Sequence, residues 1–148
     1  MLIRKAIPQD HQAVSCLAYR SKAYWAYTES FLQACKADLT VSAQFIERNP
    51  VYVLEHEGQL LAFYAFNLGE EKLDALFIDP DSIGQGLGRL LWADLLKKAR
   101  DLGLVQFTLD ADPNAEGFYL KMGAYTIGKT PSSIDPERYL PLLRVLVP

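Results

Sequence analysis

The sequence predicts a single α/β domain in which helices interrupt a mostly antiparallel set of strands. Three observations carry that expectation. The chain has 148 residues, half of them hydrophobic, which suits one core near the commonest domain size. Strand-like and helix-like patterns follow one another without a repeat, a low-complexity tract or a linker, so residues 1–148 read as one continuous fold. Turn signals at Glu57-Gly58 and Gly69-Glu70 separate three consecutive strand patterns, which predicts an antiparallel meander in the middle of the chain.

Each element has its own local reason. LIRKAI reads as a first strand, and Pro8 or Asp10 opens a helix whose Ala13, Val14, Leu17 and Ala18 form a stripe facing the core. Residues 21–48 read as helical in two or more pieces, the last starting near Ser42 and stopped by Asn49-Pro50. VYVLEH, LLAFYAFNL and KLDALFID are the strands of the meander. The helix beyond Gly88 sets Leu87, Leu91 and Leu95 on one face and Arg89, Lys97 and Arg100 on another, and ends at Gly103. VQFTLD is a strand, PNAEGFYLKMG a short helix closed by Gly123, and AYTIGKT and LPLLRVLV the last two strands. The predicted order is β-α-α-β-β-β-α-β-α-β-β.

Composition narrows the function classes. Fifteen basic residues against eighteen acidic ones leave a net charge of −3 with no basic field, so no nucleic-acid partner is expected. Cys16 and Cys35 lie in helix-like stretches with no CxxC pairing, and two histidines do not complete a ligand set, so no metal is expected and both thiols read as buried and apolar. The N-terminal MLIRKAIPQD lacks an apolar centre, and no apolar run approaches the ~20 residues that span a bilayer. A cytoplasmic protein with no membrane partner is the expectation.

The stretch IDPDSIGQGLGRLL sets Gly84, Gly86 and Gly88 between a strand and a helix. Glycines at turn positions of a flexible loop are one reading. A dinucleotide fingerprint is a second, but it needs glycine where Leu91 stands and belongs near the start of a βαβ unit. A Walker A loop is excluded, because Arg89-Leu90 occupies the place of Lys-Ser/Thr. A pyrophosphate cradle is the third reading: side-chain-free backbone approaches closely, its amides donate, and the helix N-terminus adds partial positive charge.

DPDSIGQGLGRLL, preceded by LDALFI and followed after a helix and a strand by DPNAEGFYLKMGA, resembles the GNAT superfamily of acyl-CoA-dependent N-acyltransferases over essentially the whole chain. The resemblance implies a GNAT-like mixed, mostly antiparallel sheet with helices on both faces, and a splayed parallel pair between the fourth and fifth strands that binds acetyl-CoA as co-substrate. It implies that Gly84, Gln85, Gly86, Leu87, Gly88 and Arg89 hold the pyrophosphate. The main chain of Leu76, Phe77 and Ile78 would then meet the pantetheine arm, and Asn114 and Tyr119 would complete the cofactor site. Three positions depart from the pattern. Ile83 stands where Gln or Arg is usual and removes one polar contact, and Ala124 replaces a common aromatic. The family asparagine falls on Asp112 by counting from Tyr119 and on Asn114 by residue type; Asn114 is preferred because a neutral amide adds no negative charge.

The resemblance also suggests the chemistry. Tyr119 is either a packing tyrosine beside Phe118 or the general acid that protonates the departing thiolate. An amine must attack uncharged, so a base is expected. Asp74 is the candidate, by the alternation that places it on one strand face with Leu76, with Glu55 and Asp110 behind it. Neither cysteine nor any serine sits in a nucleophile motif, which favours direct attack without an acyl-enzyme. In such folds the acceptor is met between the first two helices and before the last strand. Tyr24, Trp25 and Tyr27 are candidate pocket walls there, and Arg138 a candidate contact to a carboxylate. The expected acceptor is a primary amine of a small molecule; a peptide acceptor and a noncatalytic acyl-CoA-binding module are the alternatives. The apolar LPLLRVLV is a candidate for pairing across a homodimer.

Overall fold

The computed structural model describes residues 1–148. A seven-stranded sheet forms the frame, with strands β1 (Leu2–Lys5), β2 (Val51–His56), β3 (Gln59–Asn67), β4 (Lys72–Ile78), β5 (Gln106–Asp110), β6 (Tyr125–Pro131) and β7 (Tyr139–Leu146) in the spatial order β1-β2-β3-β4-β5-β7-β6. Helices α1 (His11–Ala23), α2 (Glu29–Leu39) and α3 (Ala43–Arg48) lie between β1 and β2, α4 (Leu87–Asp101) between β4 and β5, and α5 (Glu116–Lys121) between β5 and β6. The residues read as helical over 21–48 divide into the end of α1, then α2 and α3. Thr28 and Ser42 start the latter two by accepting hydrogen bonds from the Phe31 and Phe45 amides.

Alternation along the strands divides the interior into two layers. Val51, Val53, Phe63 and Ala65 pack with Val14, Leu17 and Ala18 of α1 and Ile46 of α3. Leu54, Ala62, Tyr64 and Phe66 point the other way, onto Leu87, Leu91, Trp92 and Leu95 of α4. Helices therefore cover both faces, as the resemblance implied. Ala13, expected in the α1 stripe, is exposed, one position outside the buried arc.

All strand pairs are antiparallel except β4 with β5. That parallel pair holds at a single register, Lys72 opposite Thr108, with the Thr108 amide donating to the Glu71 carbonyl at 3.2 Å. Beyond it the two strands diverge. β7 lies between β5 and β6 and is hydrogen-bonded on both sides. LPLLRVLV is therefore an inner strand, paired on both sides over residues 142–144, and not the sheet edge that pairing across a dimer would use; the outer strands are β1 and β6.

Candidate active site

The divergence of β4 from β5 opens a cavity of about 450 Å³ between the strands. On its β4 wall, the Asp79 amide donates to the Leu61 carbonyl at 2.7 Å, and Phe77 is paired with Phe63. Antiparallel bonding alternates, so Phe77 turns its main chain toward β3 while Leu76 and Ile78 turn theirs toward the gap. Unpaired strand groups need partners, and these two residues supply them for an extended ligand. Phe77 lines the cavity as well, but its main chain, assigned from the sequence to the same ligand, is turned to β3.

Past β4 the chain is tied down before the glycines begin. Asp79 is buried, accepts from the Asp81 amide at 3.0 Å and is paired with Arg20 of α1 at 2.5 Å. Gly84 and Gly86 then take φ of +86° and +79°, a left-handed conformation that disfavours side chains. Gly86 is the N-cap of α4 and brings no capping side chain. The first helical bond runs from the Leu90 amide to the Gly86 carbonyl, and the amides from Gly84 to Arg89 have no acceptor in the protein. Gly84, Gln85, Gly86 and Arg89 are exposed, and a Cβ on Gly84 or Gly86 would meet open space. Leu87 buries its side chain in the core, so only its amide faces outward. Gly88 serves packing instead. A Cβ there would come within 2.9 Å of the Phe118 ring, so its smallness lets α4 and α5 approach. Ile83 stands exposed at the end of the cavity.

Tyr119 is buried against Trp92 and Phe118, with ring centroids 5.8 and 5.3 Å away, and it lines the cavity. Burial, and secondarily the charge of Asp112, raises its phenol above the ordinary value, so the hydroxyl stays protonated. Asp74 also lines the cavity and is exposed to it. Desolvation, then the charge of Glu70, pushes its carboxyl above the usual carboxylate range against the pull of Lys72. The alternation argument that put Asp74 on one face with Leu76 does not hold. A register shift in the β3–β4 pairing leaves Asp74 as an extra residue, and Leu73 and Ala75 on either side of it pack in opposite layers. Of the weaker candidates, Asp110 is occupied by Lys72 at 2.5 Å and Thr130 at 2.6 Å, and Glu55 by Arg4 at 3.2 Å.

At the far end, Tyr24 and Trp25 line the cavity with their rings at right angles, 5.1 Å apart. Tyr27 does not line it. Its hydroxyl donates to Asp112 at 2.7 Å and accepts from Asn114 Nδ2 at 3.0 Å and Arg138 Nη2 at 2.8 Å. Lys22 donates to the same Asp112 carboxylate. Desolvation acts upward on Asp112, but the bonds from Lys22, Tyr27 and the Asn114 amide outweigh it and hold the carboxyl below its usual range. The Tyr27 phenol is pushed up to about 12 by burial and by Asp112. Asp112, the position reached by counting, is thus the centre of a cross-link among α1, the β5–α5 loop and the β6–β7 loop, while Asn114 sits at its edge facing the cavity.

The family model for the acetyltransferase (GNAT) domain matches residues 9–131. The chain belongs to the GNAT acetyltransferase family. It is thereby an N-acetyltransferase of a family whose acyl donor is acetyl-CoA. The chain is 33% identical over 123 residues, 82% of each protein, to the peptidyl-lysine N-acetyltransferase YjaB of Salmonella typhimurium. It is 25% identical to the 5-NmdU N-acetyltransferase of Pseudomonas phage PaMx11, covering 88% of this chain and 91% of that protein. Among solved structures, the PaiA N-acetyltransferase of Thermoplasma acidophilum in complex with coenzyme A aligns over 98% of both chains with a TM-score of 0.78 and 17% identity.

Two features of this GNAT site carry little or no signal in the sequence. Lys22 carries none, since its partner Asp112 is 90 residues away. Of the two cysteines read as buried, Cys16 is exposed, whereas Cys35 is buried as expected and lines the cavity despite its distance in sequence from either cofactor motif. Burial raises the Cys35 thiol, which disfavours the thiolate and leaves it a poor nucleophile. No helix is long and apolar enough to cross a membrane.

Proposed function

We propose that this GNAT domain moves the acetyl group of acetyl-CoA to the primary amine of a small molecule by direct attack of the amine on the thioester. The carrying observation is the limited size of the cavity, about 450 Å³, whose acceptor end is lined by Tyr24, Trp25, α2 and the β6–β7 loop, with the Asp112 cross-link tying α1 to that loop. The unpartnered amides from Gly84 to Arg89 suit a pyrophosphate, the free main chain of Leu76 and Ile78 suits the amides of a pantetheine arm, and Asn114 keeps its side-chain carbonyl for the same ligand. Acetyl-CoA supplies the activated acyl group. Asp74 takes the proton that the incoming ammonium must lose, its raised carboxyl pKa making it a better base than an ordinary aspartate. Tyr119, kept protonated, donates a hydrogen bond to the sulfur as the carbon–sulfur bond breaks.

A peptidyl-lysine acceptor is the second reading, favoured by the 33% identity to YjaB of Salmonella typhimurium. Release of free coenzyme A from acetyl-CoA, followed with a thiol reagent, distinguishes them. Small primary amines are expected to outperform an internal lysine in a peptide blocked at both ends. A blocked peptide faster than every small amine would transfer the assignment to the second reading.

A further inference from the structure

Three charges facing the cavity are in no ion pair, Asp38, Asp74 and Arg138, and Arg138 is the one cation among them. Lys22 is engaged by Asp112, and Asp110 by Lys72. Asp38 is capped by the Ser133 hydroxyl at 2.6 Å. Asp74 on β4 and Arg138 on the β6–β7 loop are likewise in no ion pair. Arg138 is nevertheless held in place by stacking and one hydrogen bond. Its guanidinium carbon lies 5.2 Å from the Tyr27 ring centroid and 4.8 Å from that of Phe31, and a single donor, Nη2, is used on the Tyr27 hydroxyl. The loop behind it is pinned by the buried Ser132, whose hydroxyl accepts from the Ile134 amide at 3.1 Å and whose amide donates to the Arg138 carbonyl at 2.7 Å.

A stacked guanidinium with unused donors, half-buried in a cavity and reaching its nearest carboxylate, Asp112, only through the Tyr27 hydroxyl, is pre-organised for a planar anion in two-toothed contact. We infer that Arg138 is the carboxylate subsite of the acceptor, and that the acceptor is an amino-acid-like molecule whose amine is directed to Asp74 while its carboxylate is clamped by Arg138. This assignment rests on the small-amine reading and deepens it. An internal lysine of a peptide, whose neighbouring carboxyls are amides, would leave the guanidinium unused. A second positive group competing for the anion is absent from this position, because Lys22 is already neutralised.

The test compares common amino acids, each beside its own carboxamide, as acceptors with the full chain and saturating acetyl-CoA, alongside a lysine peptide blocked at both ends. At least one free acid is expected to exceed its carboxamide by roughly tenfold or more in kcat/KM, the scale of one charge-assisted contact. Arg138→Gln should bring that ratio close to one with acetyl-CoA affinity unchanged, and Arg138→Lys should restore part of it, a point charge replacing a fork. Should Arg138→Gln not fold, Arg138→Lys alone carries the comparison, and its ratio must fall below that of the wild type. Equal rates for acid and carboxamide, or a ratio that survives substitution, overturn the carboxylate subsite while leaving the small-amine reading intact. Acetylation of the blocked peptide alone overturns both.

Discussion

At the scale of single residues, Asp74 and Tyr119 divide the proton traffic between two environments. Both carry raised pKa values with desolvation as the first cause, yet the consequence differs in sign. For the carboxyl, the proton-free form that acts as base is reached at a higher pH than for an ordinary aspartate; for the phenol, the proton-bearing form that acts as donor is held across the working range. The two substitutions are therefore distinguishable by pH. Asp74→Asn should lower kcat/KM about 10²–10⁴-fold near neutrality and remove the acid limb set by the carboxyl, leaving the slope of the amine's own titration. Tyr119→Phe should lower kcat about 10- to 1,000-fold with the acid limb in place and acetyl-CoA affinity little changed. An Asp74→Asn profile that overlays the wild type would return Asp74 to an exposed carboxylate at a bulge.

At the scale of elements, the glycine loop combines two constraints that a motif string merges into one. Gly86 is a left-handed N-cap beside open space, whereas Gly88 is a packing contact against Phe118. Replacing Gly86 by Asn and by Asp separates charge from backbone, since both residues tolerate a positive φ better than other side chains do. Gly86→Asp is expected to bind acetyl-CoA at least roughly tenfold more weakly than Gly86→Asn in calorimetry, the order expected for one partly screened charge beside a phosphate. Equal affinities would remove the pyrophosphate from this loop. The loop, the meander and α4 are legible in the sequence because their signals are local: turn residues, a period of two, a period near 3.6. The bulge at Asp74 is not, since one extra residue in a strand leaves the hydrophobic pattern almost intact yet turns the side chains around it. The Asp112 cluster is not legible either, because its partners Tyr27 and Arg138 lie 85 residues before Asp112 and 111 residues beyond Tyr27 respectively.

At the scale of the whole molecule, that cluster joins segments which the sheet alone does not hold together. Lys22 closes α1, Tyr27 begins the link to α2, Asp112 and Asn114 follow β5, and Arg138 precedes β7. The acceptor wall is thereby part of the folding free energy, and its stability follows the ionisation of Asp112. Its carboxyl pKa is depressed in the folded state, so the folded state favours the deprotonated form. The resulting stabilisation is present in full above the unfolded-state value near 3.9 and is lost as pH falls through the lower folded-state value. Asp112→Asn keeps the size of the side chain and deletes the charge that Lys22 requires. It should cost about 1.5–3 kcal/mol at neutral pH, the scale of a hydrogen bond to a charged group. In thermal melts from pH 7 down to pH 3, the gap between wild type and variant is expected to be constant at first and then to narrow below about pH 4, where the carboxyl of the unfolded wild type takes up its proton before that of the folded state. A gap that stays constant throughout would mean that the cross-link acts by shape alone, with no share in the charge of Asp112.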